Sequence, residues 1–325
     1  MSNLPPLQTD MGRVMKDSLV TLFGGGGFLG RQVAQALLER GARVRVAQRD
    51  LAGAMRVKPL GGLGQTQFVA ADIRKPKSVA LAVAGSDIVV NLVGILKGDF
   101  DAVHRQGAEN VAKAAAEAGV KALVHVSAIG ADAHSPSAYG RSKAAGEAAV
   151  KAAFPNATIL RPSIVFGPED QFLNRFADLI RMAPVVPVIG AETKFQPVFV
   201  TDVANAIAHA AAEPGVHGGK TYELGGPQVL SMMELNAWIA RAIGRERNLV
   251  AVPAPVASLI AAFGFLPGAP ITKDQYAMLQ KDNVVAPGAE GLAALGVAPT
   301  PMAAVAEGWL VRYRRHGRFA GRAKA

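Results

Sequence analysis

Four consecutive glycines, from Gly24 to Gly27, lie between a short apolar run and an amphipathic stretch. The apolar run at 18–23 predicts a strand, and the apolar periodicity of 28–40 predicts a helix. A turn from a strand into a helix presents free backbone N–H groups and the positive end of the helix dipole. These attract a phosphate wherever no Cβ blocks its approach. The G-x-x-G-x-x-G spacing of Gly24, Gly27 and Gly30 therefore favours a dinucleotide diphosphate site over a merely flexible turn.

Strand-length apolar runs alternate with helix-length segments over the first half of the chain. The predicted strands are 18–23, 42–48, 67–71, 86–94, 121–130 and 156–167. The predicted helices are 28–40, a segment that opens near Pro76, 101–119 and 137–154. This alternation is typical of an α/β fold, a Rossmann-type doubly wound parallel sheet with helices on both faces.

The pattern changes after residue 167. It predicts a helix at 171–184, a turn-rich piece at 185–190, a strand at 195–200, a helix at 201–214 capped by Thr201 or Asp202, a strand at 220–227, and proline-broken helices from 231. We therefore expect an NADP(H)-type nucleotide-binding domain of residues 18–165 plus 196–225. A smaller, mostly helical domain would comprise residues 166–195 plus 226–325, and residues 1–17 would be an N-terminal extension.

The composition argues against several kinds of site. The 325 residues include no cysteine, which excludes disulfides and thiolate ligands and fits a reducing compartment. The six histidines are scattered without a pair at metal-ligand spacing, so no metal site is predicted. The sequence shows neither a secretory leader nor an apolar run of membrane-spanning length, and we expect a cytoplasmic, bacterial chain.

The formal net charge is +10, and residues 311–325 carry six basic residues and no acidic one. Trp309, Leu310, Tyr313 and Phe319 are interleaved with these arginines, a mixture typical of interface anchors, although a solvated tail is the alternative. No nucleic-acid-binding signature accompanies the charge, so nucleic acid is not a predicted partner. The apolar segment 256–266, between prolines, predicts either core of the small domain or a second contact surface.

The end of the second predicted strand indicates which nucleotide fits. An acidic residue there would accept the ribose 2′-hydroxyl of NAD, whereas this chain has Gln48, Arg49 and Asp50. Arg49 can pair with a 2′-phosphate, and Arg31 offers a second charge, which favours NADP(H). Asp50 is the argument for NAD, unless it caps a helix or turn.

The sequence resembles the extended and atypical short-chain dehydrogenase/reductases over nearly its whole length. The motifs that carry the resemblance are GGGGFLGR, ADI, NLVG, SAIGADAHSPSAYGRSK, LRPSIVFGPED, FQPVFVTDVANAI and YELGGP. Within that superfamily it is similar to the branch of NADPH-binding accessory subunits of respiratory complex I, to which KDNVV and WLVRYRRHGRF also correspond.

The resemblance implies further contacts along a bound NADPH or NADP⁺. The implied cofactor-binding residues are Gly24, Gly27, Phe28, Leu29, Gly30, Arg31, Arg49, Asp72, Ile73, Asn91, Leu92, Val93, Gly94, Ser127, Tyr139, Lys143, Pro162 and Ile164, with Ser163 beside them. Asp72 and Ile73 would border the adenine, and Pro162 to Ile164 would face the nicotinamide. Each has a structural alternative, such as core packing for Val93 and Ile164 or a turn role for Asn91.

Tyr139 and Lys143 are four residues apart on a predicted helix and so share one face. In an enzyme, Tyr139 would be the acid/base, Lys143 would lower its pKa and hold the ribose, and Ser127 would orient the substrate. Ser127 is followed by Ala128 where the extended enzymes usually carry a second hydroxyl residue. We therefore expect no catalytic residues, and Tyr139 and Lys143 would hold the cofactor without turnover.

The resemblance implies a peripheral subunit that binds NADPH tightly and stabilises complex I near its membrane junction. It would lie on the cytoplasmic side of the bacterial inner membrane, or on the matrix side in a mitochondrion. Other complex I subunits are the implied partners, and the basic tail and residues 256–266 would meet membrane headgroups or membrane-proximal subunits. The alternatives are a free NADP-dependent reductase or epimerase and, less favoured, a redox-sensing regulator.

Overall fold

The computed structural model describes residues 15–266, 271–315 and 317. Its strands are Leu19–Phe23 (β1), Arg43–Gln48 (β2), Thr66–Ala70 (β3), Ile88–Asn91 (β4), Ala122–Val126 (β5), Thr158–Pro162 (β6), Val165–Phe166 (β7), Val185–Val188 (β8), Lys194–Phe195 (β9), Val198–Phe199 (β10), Thr221–Leu224 (β11), Leu230–Ser231 (β12) and Asn248–Ala251 (β13). Seven of them form one parallel sheet in the order β3-β2-β1-β4-β5-β6-β11. The predicted Rossmann-type sheet is therefore confirmed.

The α-helices lie between these strands and after them along the chain. They are Phe28–Glu39 (α1), Leu51–Ala54 (α2), Pro76–Val83 (α3), Ala108–Glu117 (α4), Ala138–Ala153 (α5), Leu173–Met182 (α6), Val200–Ala212 (α7), Pro214–His217 (α8), Met232–Ala242 (α9), Ala254–Ala262 (α10), Lys273–Met278 (α11), Met302–Val305 (α12) and Glu307–Leu310 (α13). The helix predicted to open near Pro76 begins at that residue, where proline lacks only an N–H that the helix does not need.

The central strand β1 explains why the apolar runs are continuous rather than alternating. It pairs in parallel with both β2 and β4, and Val20, Leu22 and Phe23 are fully buried. Because helices cover both faces of such a sheet, side chains on either face need to be apolar. The buried exception, Thr21, bonds through its hydroxyl to the Ala82 carbonyl oxygen at 3.0 Å.

The chain divides into two compact units. The first comprises residues 1–126, 146–159 and 204–220, and the second comprises residues 127–145, 160–203 and 221–325. The boundaries predicted from the sequence, at residues 165, 195 and 225, stay a prediction. Each unit is described below by itself.

The second unit has its own core, built around helices α6 and α9. Phe166, Leu173, Ile180, Leu235 and Ile239 are all fully buried in it. Strand β8 lies beside this core and pairs in parallel with β13. The predictions of a turn-rich piece at 185–190 and of helices alone after 231 are therefore wrong, because pairing across more than sixty residues makes strands of two segments too short to show a period.

Two further predictions concern how helices begin. A continuous helical segment covers most of the helix predicted at 101–119, but its first seven residues, Asp101–Gly107, form a π-helix that leads into α4. Helix α7 begins at Val200, so that neither Thr201 nor Asp202 precedes it as a cap. The Asp202 carboxylate instead accepts hydrogen bonds from the backbone N–H and the hydroxyl of Thr300, at 2.7 and 2.9 Å.

The start of the basic tail belongs to the fold of the second unit. Leu310 and Tyr313 are buried, and Arg312 lies 4.9 Å from the centre of the Tyr313 ring while donating to Asn174 at 2.7 Å. Leu310 and Tyr313 are therefore core residues rather than the interface anchors that we predicted. Phe319 and the basic residues Arg318, Arg322 and Lys324 lie outside the described residues. Among the described residues, no helix is both long and apolar enough to cross a membrane.

Candidate nucleotide-binding site

The glycine turn between β1 and α1 requires glycine at two positions for different reasons. Gly24 has a φ of +82°, in the left-handed region that side chains disfavour. At Gly30 a Cβ would lie 2.3 Å from the Gly24 carbonyl oxygen, so only glycine lets α1 approach the turn this closely. At Gly27 a Cβ would meet nothing nearer than that same oxygen, at 3.4 Å. The space over Gly27 is therefore open to a ligand.

The first turn of α1 leaves hydrogen-bond donors unused. Gly27 is the N-cap and brings no side chain to accept from them. In the described part of the chain, the N–H groups of Phe28, Leu29 and Gly30 meet no acceptor. Three open donors at the positive end of a helix fit a diphosphate.

Gln48 joins this turn to the end of β2, a role that the sequence analysis did not assign. Its Oε1 accepts a hydrogen bond from the Gly26 N–H at 2.8 Å, and its Nε2 donates to the carbonyl oxygen of Asp50. A Cβ at Gly26 would meet the Gln48 amide at 2.7 Å. The sequence did contain a signal for this role of Gln48. Gln48 is the last residue of β2, and in a parallel sheet that position faces the glycine turn.

The two charged residues after Gln48 have different surroundings. The Asp50 carboxylate caps α2 by accepting from the N–H groups of Ala52 and Gly53, at 3.0 and 3.2 Å. Arg49 is exposed and forms no hydrogen bond or ion pair with another described residue, and its charge contributes to the lowered pKa of Asp72. The exposed guanidinium and the occupied Asp50 carboxylate at this strand end fit a 2′-phosphate better than a bare 2′-hydroxyl.

Asp72 and Ile73, the residues implied at the adenine, are held by neighbours in the protein. The Asp72 carboxylate pairs with the Arg74 guanidinium at 2.6 Å. The hydrogen bond from Arg74 lowers the pKa of Asp72 to about 2, so this carboxylate is ionised at neutral pH. Ile73 is buried, and a Cβ at Gly107 would lie 2.6 Å from its side chain.

The turn after β4 is organised by a buried amide. The Asn91 Oδ1 accepts from the Val93 N–H at 3.1 Å, and its Nδ2 lies 3.2 Å from Nδ1 of His125. The Leu92 N–H donates to the Phe23 carbonyl oxygen, while Gly94 is exposed. Asn91 thus has the turn role that we considered as its alternative, and the turn that it shapes lies beside Gly24, whose Cβ would be 3.5 Å from Val93.

In the second unit, the hydroxyl of Ser127 is buried without a hydrogen-bond partner among the described residues. The residue is 4% exposed, and its backbone N–H donates to Leu160 at 2.7 Å. A buried hydroxyl without a partner loses its hydration and gains nothing in return, so it fits a site that a ligand completes.

Tyr139 and Lys143 lie on α5, on the same face as their spacing predicts. Lys143 is buried, with 4% exposure. Burial raises the pKa of Tyr139 to about 12. In this structure desolvation of the phenolate dominates this pKa, and the lowering by Lys143 that we expect in an enzyme stays a prediction.

The strand end after β6 is fixed by residues far along the chain. Pro162 accepts from the Ile129 N–H at 3.1 Å, and Ile164 accepts from the Val198 N–H at 3.0 Å. The Ser163 hydroxyl donates to Asn283, with 2.7 Å to Oδ1 and 2.9 Å to the carbonyl oxygen. The Ser163 hydroxyl is therefore used within the protein.

Helix α10 buries small residues and exposes large apolar ones, which is the reverse of the usual arrangement. Its buried residues are Ala257 and Ala261, while Leu259 is 61% and Phe265, just beyond it, 78% exposed. Of the two alternatives for 256–266, core packing is not supported, since most of the large side chains face outward. They form an exposed apolar surface.

A family comparison identifies the fold. The model of the NAD dependent epimerase/dehydratase family matches residues 20–225. The chain belongs to this family. A triphenylmethane reductase from Citrobacter sp., solved in complex with NADP(H), has a TM-score of 0.73 at 21% identity over 90% of this chain and 99% of its own.

More similar relatives share one narrower description. "NADH dehydrogenase [ubiquinone] 1 alpha subcomplex subunit 9, mitochondrial" of Rattus norvegicus is 38% identical, over 87% of this chain and 77% of that protein. The protein of the same name from Arabidopsis thaliana is 36% identical, over 92% and 79%. The resemblance to subunits of NADH:ubiquinone oxidoreductase is therefore confirmed.

Proposed function

We propose that this chain is an accessory subunit of a respiratory NADH:ubiquinone oxidoreductase, in which it holds NADPH tightly and stabilises the assembly without turning the nucleotide over. The mitochondrial subunits that are 36–38% identical over most of the chain support the place in the assembly. The open N-terminus of α1 carries the nucleotide part of the proposal. A peripheral position at the inner membrane agrees with these relatives, and we assign the cytoplasmic or matrix side.

Residues of the first unit would bind the adenylate half. The diphosphate would lie on the N–H groups of Phe28, Leu29 and Gly30, above Gly24 and Gly27. Arg49, with Arg31, would bind the 2′-phosphate. The adenine and the middle of the cofactor would meet the remaining residues of this unit, which are Asp72, Ile73, Asn91, Leu92, Val93 and Gly94.

Residues of the second unit would bind the nicotinamide half. Lys143 would donate to the ribose, Ser127 and Tyr139 would lie at the ring, and Pro162 and Ile164 would face it. A phenol with a pKa of about 12 stays protonated at neutral pH and is a poor base, which argues against an acid–base cycle. Alanine at position 128, in place of a second hydroxyl, argues in the same direction.

A tagged chain extracted from native membranes in mild detergent tests the assembly. We expect it to migrate on a native gel with NADH dehydrogenase subunits, which mass spectrometry would identify, and its band to release NADPH on denaturation. A small species without these subunits would overturn the proposed place in the assembly. A co-migrating chain without nucleotide would overturn only the cofactor.

Gly27→Val tests whether the nucleotide stabilises the assembly. The nearest atom to a Cβ at Gly27 is 3.4 Å away, so the new side chain fills ligand space without a clash. We expect loss of NADPH and a lower yield of assembled complex, because a ligand that binds only the folded state stabilises it by mass action. Gly215→Val, where a Cβ meets nothing within 4 Å, is the control. Full assembly without nucleotide would contradict the stabilising role.

The unpartnered hydroxyl of Ser127 favours a second candidate, a free NADP-dependent reductase or epimerase. A substrate carbonyl would accept from that hydroxyl, and Tyr139 would supply the proton. In that case Tyr139→Phe abolishes turnover of a carbonyl substrate while NADPH binding persists. Substrate screening of the purified chain with NADPH oxidation as the readout distinguishes the two candidates.

A further inference from the structure

Helix α5 receives its N-terminal cap from a residue far along the chain. The Asp274 carboxylate accepts hydrogen bonds from the N–H groups of Ala138 and Tyr139, at 2.6 and 3.2 Å. The Ser137 hydroxyl accepts from the next free donor, the Gly140 N–H, at 2.9 Å. The first three donors of this helix are therefore all used, and two of them bond to a residue 135 and 136 positions away.

The carboxylate is held in place by the local structure of α11. Thr272 and Gln275 form a capping box, in which the Thr272 hydroxyl accepts from the Gln275 N–H at 3.2 Å and the Gln275 side chain accepts from the Thr272 N–H at 3.1 Å. This reciprocal pair fixes the first turn of α11. Asp274, inside that turn, is thereby directed at α5.

The same stretch of chain, residues 272–285, holds two neighbouring loops of the second unit. We call it the clamp segment. The Asn283 Nδ2 donates to the Ile129 carbonyl oxygen at 3.4 Å, and its Oδ1 accepts from Ser163 at 2.7 Å. Lys281 pairs with Asp132 at 3.6 Å. The clamp segment therefore contacts the start of α5, the loop after β5 and the strand end after β6.

These three pieces carry every residue that the proposed function assigns to the nicotinamide half. Tyr139 lies at the second position of α5, directly at the capped end, and Lys143 lies one turn further on. Ser127 and Ile129 belong to the loop after β5, and Pro162 and Ile164 flank Ser163. A displacement of the clamp segment would move these groups.

We propose that Asp274 is a positioning residue for the nicotinamide half of the nucleotide, acting through the N-terminus of α5. This inference rests on the proposed function, because it concerns how Tyr139 and Lys143 are held in position to bind the nicotinamide half. A carboxylate at a helix N-terminus satisfies two donors and also interacts favourably with the helix dipole. Its removal lets the first turn fray, and the two side chains lose their fixed geometry.

The test compares NADPH with 2′,5′-ADP, a fragment that has the adenylate and the 2′-phosphate but no nicotinamide ribose. Calorimetric titrations of the full chain would use the wild type, Asp274→Ala and Asp274→Asn. We expect the dissociation constant of NADPH to rise about tenfold in Asp274→Ala and less in Asp274→Asn, which keeps one acceptor oxygen. The dissociation constant of 2′,5′-ADP stays unchanged in both.

Asp282→Asn is the matched control. Asp282 lies in the clamp segment, accepts from the Lys194 N–H at 2.8 Å and has no hydrogen bond to α5. We expect it to bind both ligands as the wild type does. Equal losses for NADPH and 2′,5′-ADP in the Asp274 variants would overturn the inference in favour of general destabilisation, as would no loss at all. A wild type that binds neither ligand would instead overturn the nucleotide part of the proposed function. If Asp274→Ala does not fold, Asp274→Asn carries the comparison.

Discussion

Helices α1 and α5 begin in opposite ways. The first-turn donors of α1 are open, because its N-cap is Gly27 and brings no side chain. Those of α5 are closed by Ser137 and Asp274. An open helix end supplies binding energy to a ligand, whereas a closed end supplies a fixed support for side chains that project from it. The two halves of the proposed NADPH site thus use the same element differently.

The open end depends most on Gly30. Gly30→Ala would place a methyl group 2.3 Å from the Gly24 carbonyl oxygen, so α1 has to move away from the sheet. We expect the free energy of unfolding to fall by about 3 kcal/mol, together with loss of nucleotide. Chemical denaturation of the variant without ligand measures this, and Gly215→Ala is the control. Unchanged stability would show that the close approach of α1 is not required.

Arg49→Glu tests the contact that we propose between Arg49 and the 2′-phosphate, and it leaves the backbone of the glycine turn unchanged. We expect NADPH to bind about 100-fold more weakly, because a charge-assisted contact with the 2′-phosphate is replaced by repulsion. NADH, which lacks that phosphate, should bind as before. Lys58→Glu, at an exposed residue of the first unit, makes the same charge change and is the control. An equal loss of NADPH affinity in Lys58→Glu would indicate a general electrostatic effect instead.

Gln48→Leu sharpens the comparison, because the Gln48 side chain accepts a hydrogen bond from the Gly26 N–H of the glycine turn. The substitution removes the Gln48 Oε1 atom, which accepts from the Gly26 N–H at 2.8 Å. We expect the free energy of unfolding to fall by about 2 kcal/mol. Gln67→Leu, which removes an exposed bond to Arg45, should cost much less in the same denaturation experiment. Similar losses in both variants would mean that the turn does not need this bond.

Ser137→Ala makes the smallest change, at the closed end. One donor of α5, the Gly140 N–H, loses its acceptor, while Asp274 keeps the other two. We expect a loss of about 1 kcal/mol in thermal unfolding, with NADPH affinity nearly unchanged. An affinity loss as large as that of Asp274→Ala would show that the whole cap, rather than Asp274, positions Tyr139.

The open end could be predicted from the sequence, and the closed end could not. The glycine turn is encoded within residues 18–40, where a strand, the glycines and an amphipathic helix follow one another. The cap of α5 depends on a carboxylate separated from it by 136 positions. No local pattern indicates such a pairing.

Burial and tertiary pairing account for the other differences. The pKa of Tyr139 follows from desolvation, which four-residue spacing does not reveal. Strands β8 and β13 are four residues each, too short for a period of two to stand out. Trp309, Leu310 and Tyr313 have the composition of an interface, but Leu310 and Tyr313 pack in the core of the second unit.

The separation of α5 and its cap along the sequence also determines which part of the site can form first during synthesis. A ribosome makes the chain from its N-terminus, and the 136 positions between Ala138 and Asp274 take on the order of ten seconds to translate. The glycine turn and strands β1 to β5 leave the ribosome well before that. A nascent chain can therefore complete its adenylate half while the start of α5 still frays, so the nicotinamide half is finished only after Asp274 has been added.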